Sequence, residues 1–284
     1  HYEIDTTTPH LIWDNSKCIL CRRCVATCEK VMGVEAIGVS QRGFKTHIGP
    51  SFDAMLNQTA CINCGQCIVA CPTGALTTTV ETDIDDATKH VIIQTAPSVR
   101  ATLGECFGLP VGTNAEGKMV AALRRLGFDG VFDADFAADM TIMEETTEFL
   151  HRFESGQRLP LFTSCCPGWV KYCEEFYPEF LPNLSTCKSP QQMFGALAKT
   201  YYAQKKGINP KDIVCVSVMP CTAKKFEHKR GDQSAAGEEI RDVDVGGQRT
   251  WWFSFSLLLR RGFAVCSFLS LPPGGKVARR SRDG

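Results

Sequence analysis

Two short runs of cysteines constrain this chain more than any other feature of its sequence. The first reads CILCRRCVATC from Cys18 to Cys28, and the second reads CINCGQCIVACP from Cys61 to Pro72. Both have the spacing C-x2-C-x2-C-x3-C, so half of the 16 cysteines fall into two metal-ligand patterns. A secreted disulfide scaffold is the alternative, but such scaffolds are usually short and rich in loops. The pattern favours thiolates that hold metal in a reducing compartment.

This spacing is the pattern of two-cluster bacterial ferredoxins. Three cysteines wrap around one 4Fe-4S cluster, and the fourth lies on a helical turn that points toward the other cluster. The predicted ligand sets are Cys18, Cys21, Cys24 and Cys71 for one cluster, and Cys28, Cys61, Cys64 and Cys67 for the other. Paired zinc knuckles would leave the third and fourth cysteines of each run unexplained. We therefore predict two 4Fe-4S clusters that transfer electrons in steps.

Composition argues against several classes of partner. The 284 residues have a formal net charge of +0, which gives no indication of a nucleic-acid or membrane-surface partner. No apolar run is long enough to span a bilayer, and no signal-peptide pattern precedes the first cysteine run. Because the first residue is His1, we expect that the chain is processed or begins inside a longer protein.

Beyond residue 80 the pattern changes to alternating strands and helices. The segments HVIIQTAP, GVFDADF, LPLFTS and DIVCVSVMP predict strands, and the amphipathic segments between them predict helices. The acidic stretch from Thr77 to Lys89 predicts a connector or a short exposed helix. Continuous apolar strands are typical of a parallel sheet covered on both faces. We expect an α+β ferredoxin-like two-cluster domain in 1–80, an α/β domain with a mostly parallel sheet in 81–245, and a divergent tail in 246–284.

Three polar segments follow predicted strands, namely TAPS, TSCCPGW and MPCTAKKFE. Ligands of parallel sheets gather at the carboxyl ends of the strands, so we expect one shared site. Neighbouring side chains on an extended backbone point to opposite sides, so Cys165 and Cys166 are not expected to bind one metal centre together. Pro167 suits the first position of a helix, whose amino end favours thiolates. The alternative is that Cys165 and Cys166 are two small buried side chains. The MPC segment at the end of another predicted strand favours a ligand role instead.

These segments closely resemble the iron-only (FeFe) hydrogenases. TSCCPGW and MPCTAKKFE are similar to the first two signature motifs of that family, and the resemblance extends through APSVRA, ADMTIMEETTE and KSPQQMFGALAKTYY. The related iron–sulfur assembly proteins of eukaryotes typically lack the first of the two adjacent cysteines. The resemblance implies reversible proton reduction, 2H⁺ + 2e⁻ ⇌ H₂, at an H-cluster. That group is a 4Fe-4S cluster bridged by a thiolate to a two-iron centre.

The resemblance also implies roles for individual residues. Cys166 and Cys221 would be ligands of the 4Fe-4S part, and Cys165 would give and take protons beside the two-iron centre. The residues around that centre would be Pro97, Ser98, Ser189, Gln191 and Lys224. A proton path to the surface would use Glu145, Glu148, Ser185 and Arg152. A bare E-x-x-E pair on a helix would otherwise indicate a solvated acidic face.

Partners and compartment are implied in the same way. The resemblance implies ferredoxin or a similar electron carrier as the redox partner, and hydrogenase maturation proteins for assembly of the active site. The implied compartment is an anoxic cytoplasm or a hydrogenosome.

The third signature motif of the family is absent. It is a C-x3-C pair that supplies the last two ligands of the 4Fe-4S part, whereas the chain beyond Gly246 has one cysteine and no resemblance to the family. We expect a frame-disrupted, mis-spliced or partial gene product, with a real new tail as the alternative. A non-catalytic electron-transfer fragment or iron–sulfur carrier is therefore the alternative function.

Overall fold

The protein is seen in a computed structural model that describes residues 4–8, 11–221 and 223–245. The strands are β1 (Asp5–Thr8), β2 (Leu11–Trp13), β3 (Gly38–Ser40), β4 (His47–Gly49), β5 (Leu76–Thr77), β6 (His90–Thr95), β7 (Gly130–Asp133) and β8 (Ile213–Val218). The α-helices are α1 (Arg23–Ala26), α2 (Gln66–Ala70), α3 (Thr79–Asp85), α4 (Pro97–Thr102), α5 (Glu116–Arg125), α6 (Ala134–Ser155), α7 (Pro167–Phe176), α8 (Pro190–Leu197), α9 (Ala203–Lys206) and α10 (Lys224–Glu227). The predicted tail, 246–284, lies outside the described residues. Within the described ranges, no helix combines the length and the apolarity that crossing a membrane requires.

The cysteine-bearing part folds around small antiparallel sheets. β2 pairs with β1 on one side and with β5 on the other, and β3 pairs with β4 in the insert between the two cysteine runs. The buried apolar side chains of this part are Leu11, Trp13, Cys24, Ile37, Ile48, Leu56, Ile68 and Leu76. Most of the other cysteines of the two runs pack against this core. The core is therefore small, and cysteine side chains form much of its boundary.

The second part contains a parallel sheet with the order β7-β6-β8. The residues Val91, Ile92 and Ile93 of β6 have no solvent exposure, and every residue of β8 is buried. Continuous burial is typical of parallel strands with helices on both faces. The prediction of a mostly parallel sheet is confirmed for these strands.

The last three residues of GVFDADF, a segment predicted to be a strand, instead belong to α6, which begins at Ala134. The Asp133 carboxylate accepts a hydrogen bond of 3.0 Å from the backbone N–H of Asp135 and so caps the first turn of α6. Gly156 ends α6 with a φ of 66°, which glycine adopts without the cost that a Cβ would bring. A π-helical turn at Ala198–Tyr202 joins α8 to α9, so the predicted long helix runs on to Lys206.

Two further local predictions differ from the structure. LPLFTS is not a strand, because only Phe162 forms a bridge, with Leu184. Pro160 has no N–H to extend the pairing on one side, and on the other side the Ser164 hydroxyl bonds to the backbone of Cys166. The stretch from Thr77 to Lys89 contains α3, which is a helix but not an exposed one. Its residues Val80 and Ile84 are four positions apart and bury one face of the helix in the core.

Gly195 in α8 lies directly against the backbone near the end of the described chain. A methyl group at Gly195 would come within 2.3 Å of the carbonyl oxygen of Asp242, a distance that requires the backbone to move. We expect Gly195→Ala to lower the free energy of unfolding by about 3 kcal/mol, measured by urea denaturation. Gly231→Ala is the matched control, because that position has open space around it. Equal urea midpoints for Gly195→Ala and Gly231→Ala would show that the close approach of Gly195 to Asp242 does not constrain the fold.

Candidate functional site

A first cavity in the cysteine-bearing part gathers thiols from both runs. Cys18, Cys21 and Cys24 of the first run line it together with Cys71, the last cysteine of the second run. Burial, with a smaller contribution from the neighbouring thiols of Cys71, Cys18 and Cys21, raises the pKa of the Cys24 thiol to about 11. The structure thus brings together the four cysteines that the spacing predicts for one ligand set.

A second cavity gathers the other predicted set. Cys28 of the first run and Cys61, Cys64 and Cys67 of the second line it, and so does Lys225 of α10. Burial raises the pKa of Cys67, and the neighbouring thiols add to this effect. The thiols of Cys67 and Cys24 also interact electrostatically, so the two cavities are neighbours.

The donor set of both cavities fits iron–sulfur clusters. Such clusters are held by cysteine thiolates, and four thiols line each cavity. Within the described ranges, no three His, Cys, Asp or Glu side chains come together as they would around a single metal ion. Thiols grouped in an apolar cavity repel one another when they ionise, so bound cationic iron is the natural partner of four thiolates.

The segments TAPS and MPC lie at the carboxyl edge of the parallel sheet. Thr95 of β6 is in register with Val218 of β8, and the N–H of Ala96 donates to Val218 O at 3.0 Å. Pro97 and Ser98 are exposed at this edge, and Cys221 is partly buried beyond β8. Two of the three segments that were expected to share one site therefore lie at the same edge of the sheet.

TSCCPGW forms the entry to α7. Cys166 is the residue before the helix and has an extended backbone, with φ −96° and ψ 108°. Its N–H donates to the hydroxyl of Ser164 at 3.1 Å, and Pro167 occupies the first helical position as predicted. Gly168 has no side chain to cover the Cys166 sulfur. A Cβ at this position would lie 3.6 Å from that sulfur, in van der Waals contact with it. Both Cys165 and Cys166 are exposed within the described part of the chain.

Glu148 of α6 is the centre of a hydrogen-bond network. Its carboxylate accepts from Arg152 Nη2 at 2.6 Å, from the Ser185 hydroxyl at 2.7 Å, and from the N–H and the hydroxyl of Thr186. Arg152 is 7% exposed and also donates to the carbonyls of Arg158, Pro182, Asn183 and Leu184. An arginine does not release its proton in a protein, so these contacts favour a role for Arg152 in holding Glu148 in place.

Glu145 and Cys165 stand apart from this network. The Glu145 carboxyl is partly buried, and burial and the nearby Glu148 raise its pKa. No hydrogen bond among the described residues joins Cys165 to Glu145 or to Ser185. The structure therefore groups three of the predicted proton-path residues, namely Glu148, Arg152 and Ser185, and leaves Glu145 and Cys165 outside their hydrogen bonds.

Lys224 forms a buried ion pair that the sequence analysis did not include. Its ammonium donates to both carboxylate oxygens of Glu227, at 3.0 and 3.2 Å. Gln191 Nε2 also donates to Glu227, at 3.3 Å, and Gln191 Oε1 accepts from the hydroxyl of Ser217 in β8 at 2.8 Å. This network holds Lys224 and Gln191 in fixed positions beneath the carboxyl edge of the sheet.

A further cavity lies between the entry to α7 and the start of α8. The residues around it include Ser164, Pro167, Ser185, Cys187, Ser189 and Glu227. The Ser189 hydroxyl is buried and has no hydrogen-bond partner among the described residues. An unpartnered buried hydroxyl fits a site that takes a polar group, as the resemblance implies for Ser189.

Three residues with a place in these sites were not predicted. Glu227 follows Lys224 by three positions on a helix, and that spacing could have indicated the pair. Cys187 belongs to neither cysteine run, yet its thiol lies 3.9 Å from Glu148 Oε2. No local sequence pattern indicated a role for Lys225, because its contact is with Asn63, 162 positions away.

Glu148 gives the protein a specific pH dependence. Burial acts to raise the pKa of this carboxyl, but the hydrogen bonds from Ser185, Thr186 and Arg152 outweigh it and lower the pKa. The stabilisation is therefore present above the unfolded-state pKa and is lost as the pH falls through the folded-state pKa. We expect Glu148→Gln to cost about 2 kcal/mol of unfolding free energy at pH 7 and much less at pH 3.5.

Glu145→Gln is the matched control in the same denaturation series. The pKa of Glu145 is raised, so its charge opposes folding at pH 7, and the amide is expected to be neutral or stabilising there. A cost for Glu148→Gln that does not change with pH would contradict the network described above.

Comparison with known proteins follows the same division of the chain. A family model described as "Iron only hydrogenase large subunit, C-terminal domain" matches residues 89–246. A model described as "NADH-quinone oxidoreductase subunit 3, ferredoxin-like domain" matches residues 8–77. The chain is 50% identical over 256 residues to the NADP-reducing hydrogenase subunit HndD of Solidesulfovibrio fructosivorans, a match that covers 86% of this chain and 43% of that protein.

Further similarities agree with these matches. The chain is 47% identical over 247 residues to iron hydrogenase 1 of Clostridium pasteurianum, covering 85% of this chain and 43% of that protein. A solved structure of an apo FeFe hydrogenase from Chlamydomonas reinhardtii is similar with a TM-score of 0.61 and 42% identity, covering 70% of this chain and 51% of that one. The chain thus spans less than half the length of these two curated relatives. Because the first family model matches more than half of its residues, the chain belongs to the iron-only hydrogenase family.

Proposed function

We propose that this chain forms the electron-input part and much of the active-site part of an enzyme that interconverts protons and hydrogen. The observation that carries the proposal is the grouping of eight cysteines into two neighbouring four-thiol cavities beside a sheet edge that bears Cys221. Cys18, Cys21, Cys24 and Cys71 would hold one 4Fe-4S cluster. Cys28, Cys61, Cys64 and Cys67 would hold the other.

The arrangement gives electrons a route through the chain. Cys21 is exposed and lines the first cavity, so a cluster there would be accessible to ferredoxin or a similar electron carrier. The second cavity contacts α10, the helix that follows Cys221, through Lys225. Electrons would therefore pass from the first cluster to the second and then toward the active site.

At the active site, Cys166 and Cys221 would hold the H-cluster, which supplies the redox chemistry of hydrogen when bound. Pro97, Ser98, Ser189 and Gln191 would surround its two-iron centre. Lys224 would place positive charge beneath it, balanced in this structure by Glu227.

The proton side of the reaction would use this chain's own acids. Cys165 would hold the exchangeable proton, and Glu145, whose pKa is raised by burial and by Glu148, would pass it on. Glu148 would accept it in turn, with Ser185 and Arg152 keeping the carboxylate in one orientation. Hydrogenase maturation proteins would assemble the two-iron centre, and oxygen-sensitive iron–sulfur chemistry favours an anoxic cytoplasm or hydrogenosome.

A non-catalytic electron carrier is the second candidate, and a specific observation favours it. The described residues supply Cys166 and Cys221 at the active site, but no cysteine pair that matches the third signature of the family. The two-cluster relay does not depend on such a pair.

Anaerobic reconstitution of the full chain distinguishes the two candidates. The chain is given iron, sulfide and a synthetic two-iron cofactor, then iron per chain is counted and H₂ formation from reduced viologen is measured. About fourteen irons with H₂ evolution would support the enzyme. About eight irons without H₂ would support the carrier and overturn the enzymatic proposal for this chain.

A further inference from the structure

Lys225 is a buried lysine that reaches from the second part of the chain into the cysteine-bearing part. It lies on α10 and is 6% exposed. Its ammonium donates a hydrogen bond to the backbone carbonyl of Asn63, which stands between Cys61 and Cys64 in the second run. The same side chain lines the cavity that those cysteines surround.

The charge of this ammonium acts on one cavity. Lys225 interacts electrostatically with Cys64, Cys61 and Cys67, which are three of the four thiols of the second predicted set. It does not line the first cavity, which is bordered by Cys18, Cys21, Cys24 and Cys71. The second cavity is therefore in contact with one buried cation from α10, whereas the first cavity has no cation from that helix.

We propose that Lys225 is a positioning residue that raises the reduction potential of the cluster at Cys28, Cys61, Cys64 and Cys67. This inference rests on the proposed cluster-binding function. One-electron reduction, by ferredoxin or by a chemical donor, adds one negative charge to the cluster and moves no proton. A fixed positive charge in a poorly solvated cavity stabilises the more negative, reduced state. Charge and hydrogen bonding near the sulfurs are known determinants of cluster potential.

A difference in potential would direct electrons along the chain. If the cluster nearer α10 is easier to reduce than the exposed one, electrons that enter at the first cavity collect beside the segment that carries Cys221. The bond between Lys225 and Asn63 would also hold the second cysteine run at a constant distance from that segment.

The test is a redox titration of the reconstituted full chain, followed by low-temperature EPR. Lys225→Met keeps an unbranched side chain and removes the charge, whereas Lys225→Arg keeps the charge. In Lys225→Met, we expect the equilibrium constant for reduction of one of the two clusters to fall about tenfold. For one electron, this lowers the reduction potential of that cluster by about 59 mV. The other cluster is expected to be unchanged, and the arginine variant is expected to resemble the unmodified chain.

Lys229→Met is the matched control, since Lys229 is an exposed lysine one turn further along. An equal shift in Lys229→Met would assign the effect to general charge and overturn the proposal. So would unchanged potentials in Lys225→Met, or the loss of about four irons per chain, which would indicate cluster retention instead. If the unmodified chain binds no iron, the proposed function fails before this inference is reached.

Discussion

Removal of iron from the anaerobically purified chain is expected to unfold residues 11–77 while the parallel sheet stays folded. The apolar core of the cysteine-bearing part is small, its strands are two to four residues long, and cysteines form its boundary. Small domains of this kind need metal or disulfides to fold, and structural metal sites contribute on the order of 10 kcal/mol. The sheet formed by β6, β7 and β8 has a separate apolar core that contains no cysteine of the two runs.

Amide hydrogen exchange with mass spectrometry measures this effect region by region. We expect peptides from 11–77 to lose protection after iron is removed and to recover it when iron and sulfide are restored. Peptides covering β6 and β8 are expected to keep their protection throughout. A uniform loss of amide protection across the chain would contradict the division into two cores. Full retention of protection in 11–77 would show that the clusters do not stabilise that part.

Arg152→Met is expected to cost about 3–5 kcal/mol of unfolding free energy. The substitution leaves the partly buried Glu148 carboxylate without its cation, and it frees the carbonyls that Arg152 holds between Arg158 and Leu184. Urea denaturation at pH 7 measures the change.

Lys171→Met provides the comparison for this variant. The pair between Lys171 and Glu175 has the same i,i+4 spacing on a helix, but both side chains are about half exposed. Its loss is expected to cost less than about 1 kcal/mol. Similar costs for the two variants would mean that Arg152 does not organise the loop around Ser185.

Features set by local spacing were predictable from the sequence. Cysteine ligands of one run are a few residues apart, so their spacing already predicts the four-cysteine groups that the structure assembles around its two cavities. The apolar runs of β6 and β8 were equally clear, because a strand buried on both faces needs continuous apolar residues. The proline that starts α7 was predictable from the chemistry of helix ends, whereas the cap at Asp133 was not predicted, because GVFDADF has the composition of a strand.

Features set by distant contacts were not predictable. LPLFTS has the composition of a strand, but strand formation requires a partner along its length, and only Leu184 pairs with it. The local pattern around Glu148 indicates only a solvated helix residue, and the family resemblance alone grouped it with Ser185 and Arg152, which surround its carboxylate. Lys225 is the extreme case, since nothing near it in sequence indicates a contact with Asn63.

The central claim is that two clusters are held by crossed sets of cysteines, and removal of single thiols tests it directly. The full chain and its Cys21→Ala, Cys71→Ala and Cys64→Ala variants are reconstituted, iron is counted, and EPR spectra of the reduced proteins are recorded. Each variant is expected to lose about four irons, and Cys71→Ala is expected to keep the same EPR signal as Cys21→Ala, although Cys71 belongs to the second run. If the remaining signal of Cys71→Ala instead matches that of Cys64→Ala, the sets are not crossed and the account is contradicted.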